Sequence, residues 1–150
     1  NDTFKMKNTF ILVLFILFSC DDINDPEDFE EFIPISEFFN FNESDLIAFY
    51  FFDNVIINEQ TIDSLDWVAA FNGNICVGAK QWNCTSQFCE IPIYGENTLN
   101  SLTIGYMQSG QLPSFKIYDS SDSVYYNATP SQQFLWNNGD FNQIETLIAN

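Results

Sequence analysis

The sequence contains no histidine, no arginine and only four lysines, against 21 aspartates and glutamates in 150 residues. Without an imidazole there is no Ser-His-Asp or Cys-His nucleophile system and no histidine metal ligand. The formal net charge of -17 excludes a nucleic-acid or anionic-lipid binder, because both need a cationic face to displace counterions. No catalytic signature is present, so we predict that the protein is not an enzyme.

Apolar and aromatic residues, by contrast, are abundant. Hydrophobic residues make up 46% of the chain and aromatic residues 17%, with 17 phenylalanines. This composition argues against disorder and predicts one domain with a well-filled core, since the chain is too short for two ordinary domains.

The first informative segment begins at Met6, with a lysine, a nine-residue apolar run over 10–18 and then Ser19-Cys20. A basic start, a short apolar run and a small residue describe a secretory signal, and nine residues cannot span a bilayer as a helix. The end of this segment, Leu17 to Cys20, resembles the lipobox of bacterial lipoproteins. The resemblance implies that Cys20 is lipidated and anchors the protein to a membrane.

An acidic stretch without a basic residue follows, from Asp21 to Asp45. Like charges repel, so the stretch predicts an extended tether. Acids directly after the lipidated cysteine resemble the export signal of surface lipoproteins, which implies the cell surface of an outer membrane; a periplasm-facing anchor is the alternative. We therefore divide the chain into upstream residues and signal peptide (1–19), lipidated cysteine and acidic linker (20–44), and a folded domain (45–150).

The folded domain shows short β-favouring runs separated by turn residues at intervals of about ten, which predicts an all-β, antiparallel β-sandwich of jelly-roll or Ig-like type. The predicted strands are Leu46–Phe52, Asp66–Phe71, Asn74–Lys80, Glu90–Tyr94, Ser101–Met107, Ser114–Tyr118, Ser123–Asn127 and Gln143–Ile148.

Alternation within these runs predicts which side chains share a face. We expect one face to hold Ile47, Phe49 and Phe51, another Trp67, Ala69 and Phe71, and the inward face of the next strand Ile75, Val77 and Ala79. Asn72-Gly73 predicts a hairpin with a type I′ turn, because both central residues of that turn need a positive φ.

Three cysteines remain after Cys20, namely Cys76, Cys84 and Cys89. Cys84 and Cys89 flank a four-residue insert between two predicted strands, so we predict that they form a disulfide and that Cys76 is free. A bridge from Cys76 to either of them is the alternative. A zinc site is disfavoured, since three thiols without histidine leave the shell incomplete.

Two stretches of the domain, Asp66–Ala79 and Pro113–Ser121, are similar to a module of uncharacterised type found in exported proteins of marine bacteria. The resemblance implies a β-sandwich attached to a larger exported protein or to a lipid anchor, with no assigned reaction. Such modules carry a Gly-Asp-Asp-Gly turn where this chain has Gly95-Glu96-Asn97-Thr98, which implies that any ligand role of that turn is altered.

Carboxylates are the candidate chemical groups. Asp63, Asp66, Asp119, Asp122 and Asp140 lie at or near turns, where aspartate ordinarily stabilises the turn itself. Glycoside hydrolysis would need two of them facing each other across a cleft, and no spacing indicates this. The oxygen-rich segment at Asp119 and Asp122 is a candidate calcium site, although it lacks the glycine and distal glutamate of an EF-hand.

Trp82 and Trp136 stand beside amide side chains outside the alternating strands, the arrangement of a sugar-stacking surface; partly buried loop anchors are the alternative. The leading interpretation is a surface-anchored lipoprotein with a non-catalytic binding or adhesion β-sandwich, whose partner is a polysaccharide or a surface protein. The alternatives are a structural subunit of a surface assembly, pairing through strand edges, and an acid-dependent glycoside hydrolase.

Overall fold

The computed structural model describes residues 39–84 and 89–150, which belong to the unit formed by residues 33–150. The predictions on the signal segment, on Cys20, on residues 20–38 of the acidic linker and on the insert at 85–88 lie outside the described residues.

The regular secondary structure of the described part is almost entirely β-strand, so the all-β class is confirmed. Its strands are β1 (Ile47–Ile57), β2 (Gln60–Thr61), β3 (Trp67–Asn72), β4 (Ile75–Gln81), β5 (Cys89–Tyr94), β6 (Ser114–Asp119), β7 (Val124–Pro130) and β8 (Phe141–Ala149).

These strands form one sheet in the order β2-β1-β8-β7-β6-β3-β4, and β5 pairs with the first half of β1. The prediction of a purely antiparallel sheet is wrong at one place, because β1 and β8 pair in parallel. This sheet connects all described strands, so the two-layer packing of a sandwich stays a prediction.

The sheet curls until β4 approaches β5. A Cβ atom on Gly78 of β4 would overlap the backbone carbonyl oxygen of Pro92 in β5. Glycine is required there because only a residue without a side chain permits so close an approach of two backbones.

The main core lies on the concave side of the curled sheet, which we call the inner face. β1 contributes Ala48, Tyr50 and Phe52, and β5 contributes Ile91 and Ile93. The expectation that Ile47, Phe49 and Phe51 share a face agrees with the alternation. Phe49 and Phe51 are turned away from the core, whereas Ile47 at the start of the strand packs partly against it.

The alternation of β1 and β8 shifts by one residue at the same level of the sheet. In β1 the buried positions pass from Phe52 to Val55, and in the partner strand they pass from Ile144 to Leu147. Each strand therefore presents two successive residues away from the core, and the acidic member of each pair, Asp53 or Glu145, is exposed.

A second buried cluster lies on the outer face of β3, β4 and β6. We call it the outer cluster; its buried members are Phe39, Ala69, Phe71, Cys76, Ala79 and Tyr118. Phe39 is only 5% exposed, so it packs into the fold although it precedes residue 45, where the sequence places the start of the domain.

The prediction of inward-facing positions in β4 is wrong for two of its three residues. The pairing of β3 with β4 shifts register between Ala70 and Phe71, so that Val77 is an extra residue of β4. Val77 faces the main core as predicted, but Ala79 joins the outer cluster and Ile75 is exposed. A bulge of this kind changes which residues face inward, and a period-two pattern does not show it.

The hairpin between β3 and β4 exists, but its turn is one residue later than predicted. Asn72 pairs with Ile75, which makes Gly73 and Asn74 the turn residues. Gly73 has φ +61° and Asn74 is not in the positive-φ region, the pattern of a type II′ turn with glycine at its first central position. The same positive φ occurs at Asn58 and Glu59, which join β1 to β2 in a hairpin that was not predicted.

The predicted strand Ser101–Met107 is wrong. Residues Ser101–Thr103 form a short 3-10 helix, and the Asn100 side chain accepts a hydrogen bond from the Leu102 amide at 3.1 Å. Asparagine side chains that bind nearby backbone amides favour turns over strands, and this local bonding outweighs the β propensity of the apolar residues.

Candidate functional site

The most exposed aromatic surface of the described structure lies on β1 and β8, on the outer face. Phe49 and Phe51 of β1 are half-buried, and Phe141 of β8 is 72% exposed. The ring of Phe141 lies 5.5 Å from that of Phe49 and 6.2 Å from that of Phe51, and the planes are nearly parallel. We call these three residues and their outward neighbours Asp53, Gln143 and Glu145 the open face.

The open face follows from the parallel pairing of two strands that are far apart in sequence. Phe49 pairs with Phe141 and Phe51 with Gln143, so the three rings meet only once β8 lies beside β1. Large aromatic side chains are ordinarily buried, so an exposed ring stacked on two half-buried ones is a candidate interaction site.

Carboxylates occupy the other end of the open face. Asp53 and Glu145 are exposed at the same level of β1 and β8, and the Asp53 carboxylate accepts a hydrogen bond from the Gln143 amide at 3.1 Å. Two like charges on neighbouring strands repel each other.

On its other side β1 pairs with β5, whose outward residues continue the surface. Pro92 stands opposite Phe49 and Glu90 opposite Phe51. Glu90 is paired with Lys80 at 3.0 Å, so this part of the surface carries little net charge.

The predicted aspartates meet in a different place, around a polar depression of about 360 Å³. Its lining includes Asp63 and Asp66 before β3, Asp119 at the end of β6 and Asp122 in the turn that follows. The structure thus brings four of the five candidate aspartates together, while Asp140 lies away from them in the turn before β8.

Asp66 is the buried member of this group, with 5% of its surface exposed. One carboxylate oxygen accepts hydrogen bonds from the amide and the hydroxyl of Ser120, at 2.9 and 3.0 Å. The other oxygen accepts from the Asp63 amide at 2.8 Å. These bonds join the segment before β3 to the turn after β6, so the Asp66 carboxylate has a structural role.

Asp119 likewise stabilises its own turn. It accepts hydrogen bonds from the Ser121 hydroxyl at 2.7 Å and from the Ser121 amide at 2.9 Å. The bond from the Ser121 side chain is the main reason that the pKa of Asp119 is lowered from its ordinary value. Within residues 39–84 and 89–150, no three histidine, cysteine or acidic residues are placed to hold a metal ion, so calcium at Asp119 and Asp122 stays a prediction without geometric support.

The two candidate tryptophans lie in different environments. Trp136 is 3% exposed, and its indole N–H donates to the Ile93 carbonyl at 2.9 Å within the main core. Trp136 therefore matches the alternative of a buried loop anchor, because the loop before β8 folds inward over Gly95. Trp82 is half-buried, with its ring 6.3 Å from that of Phe52.

The cysteine prediction is confirmed. Cys84 and Cys89 form a disulfide with their Cα atoms 5.7 Å apart, and Cys76 is free. Cys76 is buried in the outer cluster, and burial raises the pKa of its thiol.

Sequence reasoning missed the open face. The pattern placed Phe49 and Phe51 on one face of a strand, but it did not show which face meets the core. Phe141 lay outside the predicted strand 143–148 altogether. The signal that could have indicated it was Phe141 directly after Gly139-Asp140, since a strand often begins after such a turn.

No protein-family model matches the chain, and comparison with curated proteins and with solved structures finds no significant match. Among the residues that the structure describes, no helix is long and apolar enough to cross a membrane.

Proposed function

We propose that this protein is a non-catalytic binding or adhesion module, held at the outer membrane of a bacterial cell by a lipid on Cys20. Its binding surface is the open face. The observation that carries the proposal is the group of three stacked phenylalanine rings on the outside of the sheet, with Phe141 72% exposed.

The rings are suited to binding because they already contact one another before a partner arrives. Their mutual stacking and their position on paired strands restrict side-chain rotation, so little conformational entropy remains to be lost on binding. Aromatic residues are also the side chains most enriched in the buried centre of protein interfaces.

A non-catalytic function agrees with the environment of the aspartates. Asp66 and Asp119 accept hydrogen bonds from the loops that they stabilise, as structural aspartates do. An acid-dependent hydrolase would need one carboxylate held as a proton donor and a second held as nucleophile or base.

The sequence predicted a polysaccharide or a surface protein as partner, and the polysaccharide depended on two tryptophans. Trp136 is part of the core, so this support is reduced to Trp82, which packs against the core with part of its ring. A polysaccharide or a surface protein that contacts the open face is therefore the broader proposal.

Binding is tested on glycan and peptide arrays with the full chain, comparing Phe141→Ser with Leu99→Ser. Leu99 is 95% exposed on a loop and serves as the matched control for loss of an exposed apolar side chain. We expect ligands that bind the unaltered chain and Leu99→Ser but not Phe141→Ser. If no ligand is bound, or if Phe141→Ser binds equally well, the open face is not a binding surface.

Anchoring is tested separately by Cys20→Ala. The variant is expected in the soluble fraction, whereas the unaltered protein is expected in the membrane fraction with a lipid mass on Cys20. Retention of unlipidated protein in the membrane would contradict the proposed anchor.

A further inference from the structure

The open face combines aromatic rings and uncompensated carboxylates on one surface. Resting on the proposed function above, we infer that its partner is an extended, basic polypeptide segment. Along the side of this segment that contacts the open face, apolar side chains come first and cationic side chains follow. The placement of Phe51 and Asp53 two residues apart on the same strand gives this order.

The negative charge of the open face favours a partner with positive charge. Asp53 and Glu145 are both exposed at the same level of adjacent strands. Lys80 and Lys116 are the only bases among the described residues; Lys80 is paired with Glu90, and the Lys116 ammonium lies 5.0 Å from the centre of the Phe71 ring on the outer cluster. A cation from another molecule would relieve the repulsion between the two carboxylates.

The same charge argues against a second copy of this chain as occupant. Residues 39–150 carry acids throughout, and two open faces brought together would place four exposed carboxylates in one interface. A surface with net charge far from zero keeps a protein monomeric by repulsion.

The shape of the surface favours an extended peptide over a neutral sugar. Alternate side chains of an extended chain are spaced about 7 Å apart, the same spacing that separates outward residues along β1. The phenylalanine rings carry no polar atom, and the amide of Gln143 next to them already donates to Asp53. A pyranose stacked on the rings would reach hydrogen-bond partners on one side only, where Asp53, Gln143 and Glu145 lie.

The test uses fluorescence anisotropy with a labelled peptide of sequence FSFSKSK and a control peptide FSFSESE. The protein is the full chain with Cys20→Ala in every arm, so that lipid does not contribute. We expect the basic peptide to bind and the acidic peptide not to bind, with affinity falling as salt is raised because exposed charges are screened.

Variants separate the charge from the rings. Asp53→Asn combined with Glu145→Gln should weaken the basic peptide about three- to tenfold, since exposed ion pairs contribute modestly. Asp45→Asn combined with Asp122→Asn removes the same charge elsewhere and should leave affinity unchanged. Phe141→Ser should abolish detectable binding.

Each outcome decides between the two proposals. The basic partner would be overturned if FSFSKSK does not bind or if FSFSESE binds equally well. An equal loss of affinity in the two double charge variants would overturn it as well. If a neutral polysaccharide binds and Phe141→Ser abolishes that binding, the binding surface stands and only its partner is different. Self-association of the full chain that Phe141→Ser removes would likewise replace the peptide by a second copy.

Discussion

The outer face of the sheet is apolar in two regions, and the chain covers one of them. Over β3, β4 and β6, Phe39 packs against the rings of Trp67, Phe71 and Tyr125 at 5.4 to 6.3 Å. Over β1 and β8, Phe141 stands 72% exposed, and none of the described residues buries it.

The difference separates stability from binding. Burial of an aromatic side chain removes apolar surface from water and stabilises the fold, as Phe39 does for the outer cluster. An aromatic side chain that stays exposed contributes little to folding, and the free energy of its burial remains for a partner. The two regions therefore predict opposite responses to truncation.

The largest effect on stability is expected when Phe39, which covers the outer cluster, is truncated. Phe39→Ala should lower the free energy of unfolding by about 3 kcal/mol, because it leaves a cavity over the outer cluster. Urea denaturation of the unaltered chain and the variant measures this. A change below about 0.5 kcal/mol would show that Phe39 is not a structural cover and would remove the contrast between the regions.

The reactivity of the Cys76 thiol measures how well Phe39 protects the outer cluster. Its thiol is buried in the outer cluster and its pKa is raised by burial, so the folded protein should react slowly with a thiol reagent. Phe39→Ala should accelerate labelling by up to about a hundredfold, since labelling follows opening of the structure and opening becomes easier. Phe141→Ser provides the control and should leave the labelling rate unchanged.

Asp66 holds the loops at one end of the covered region. Asp66→Asn should lower the free energy of unfolding by about 2 kcal/mol. The Asp66 carboxylate accepts hydrogen bonds from three donors, and the NH2 group of asparagine, itself a donor, would face at least one of them. Asp63→Asn, at an exposed position, is the matched control and should change stability much less. Equal effects of the two substitutions would show that burial of Asp66 does not determine its contribution.

The smallest effect on stability is expected at the open face. Phe141→Ser should change the free energy of unfolding by no more than about 0.5 kcal/mol, as surface substitutions ordinarily do. Thermal and urea unfolding measure it alongside Phe39→Ala. A loss as large as that of Phe39→Ala would mean that Phe141 is a structural residue, and the open face would lose its functional interpretation.

Local patterns accounted for the strands and the disulfide. Trp67–Asn72 and Ile75–Gln81 were predicted within one or two residues, because their alternation and the glycine turn depend on neighbours in sequence. The Cys84–Cys89 bridge was predicted for the same reason, since its partners are close along the chain. The region 101–107 failed because asparagine side chains bonded locally to the backbone against the apolar pattern.

The sequence by itself determined the all-β class, the acidic charge and the alternation that places Phe49 and Phe51 together. Only the tertiary structure decided which face of β1 meets the core, because β1 carries aromatic residues on both faces and its alternation does not distinguish them. It also decided that Trp136 is buried and that Phe141 is exposed. Both outcomes depend on pairing and packing between segments many residues apart, and such contacts leave no signal in the local sequence.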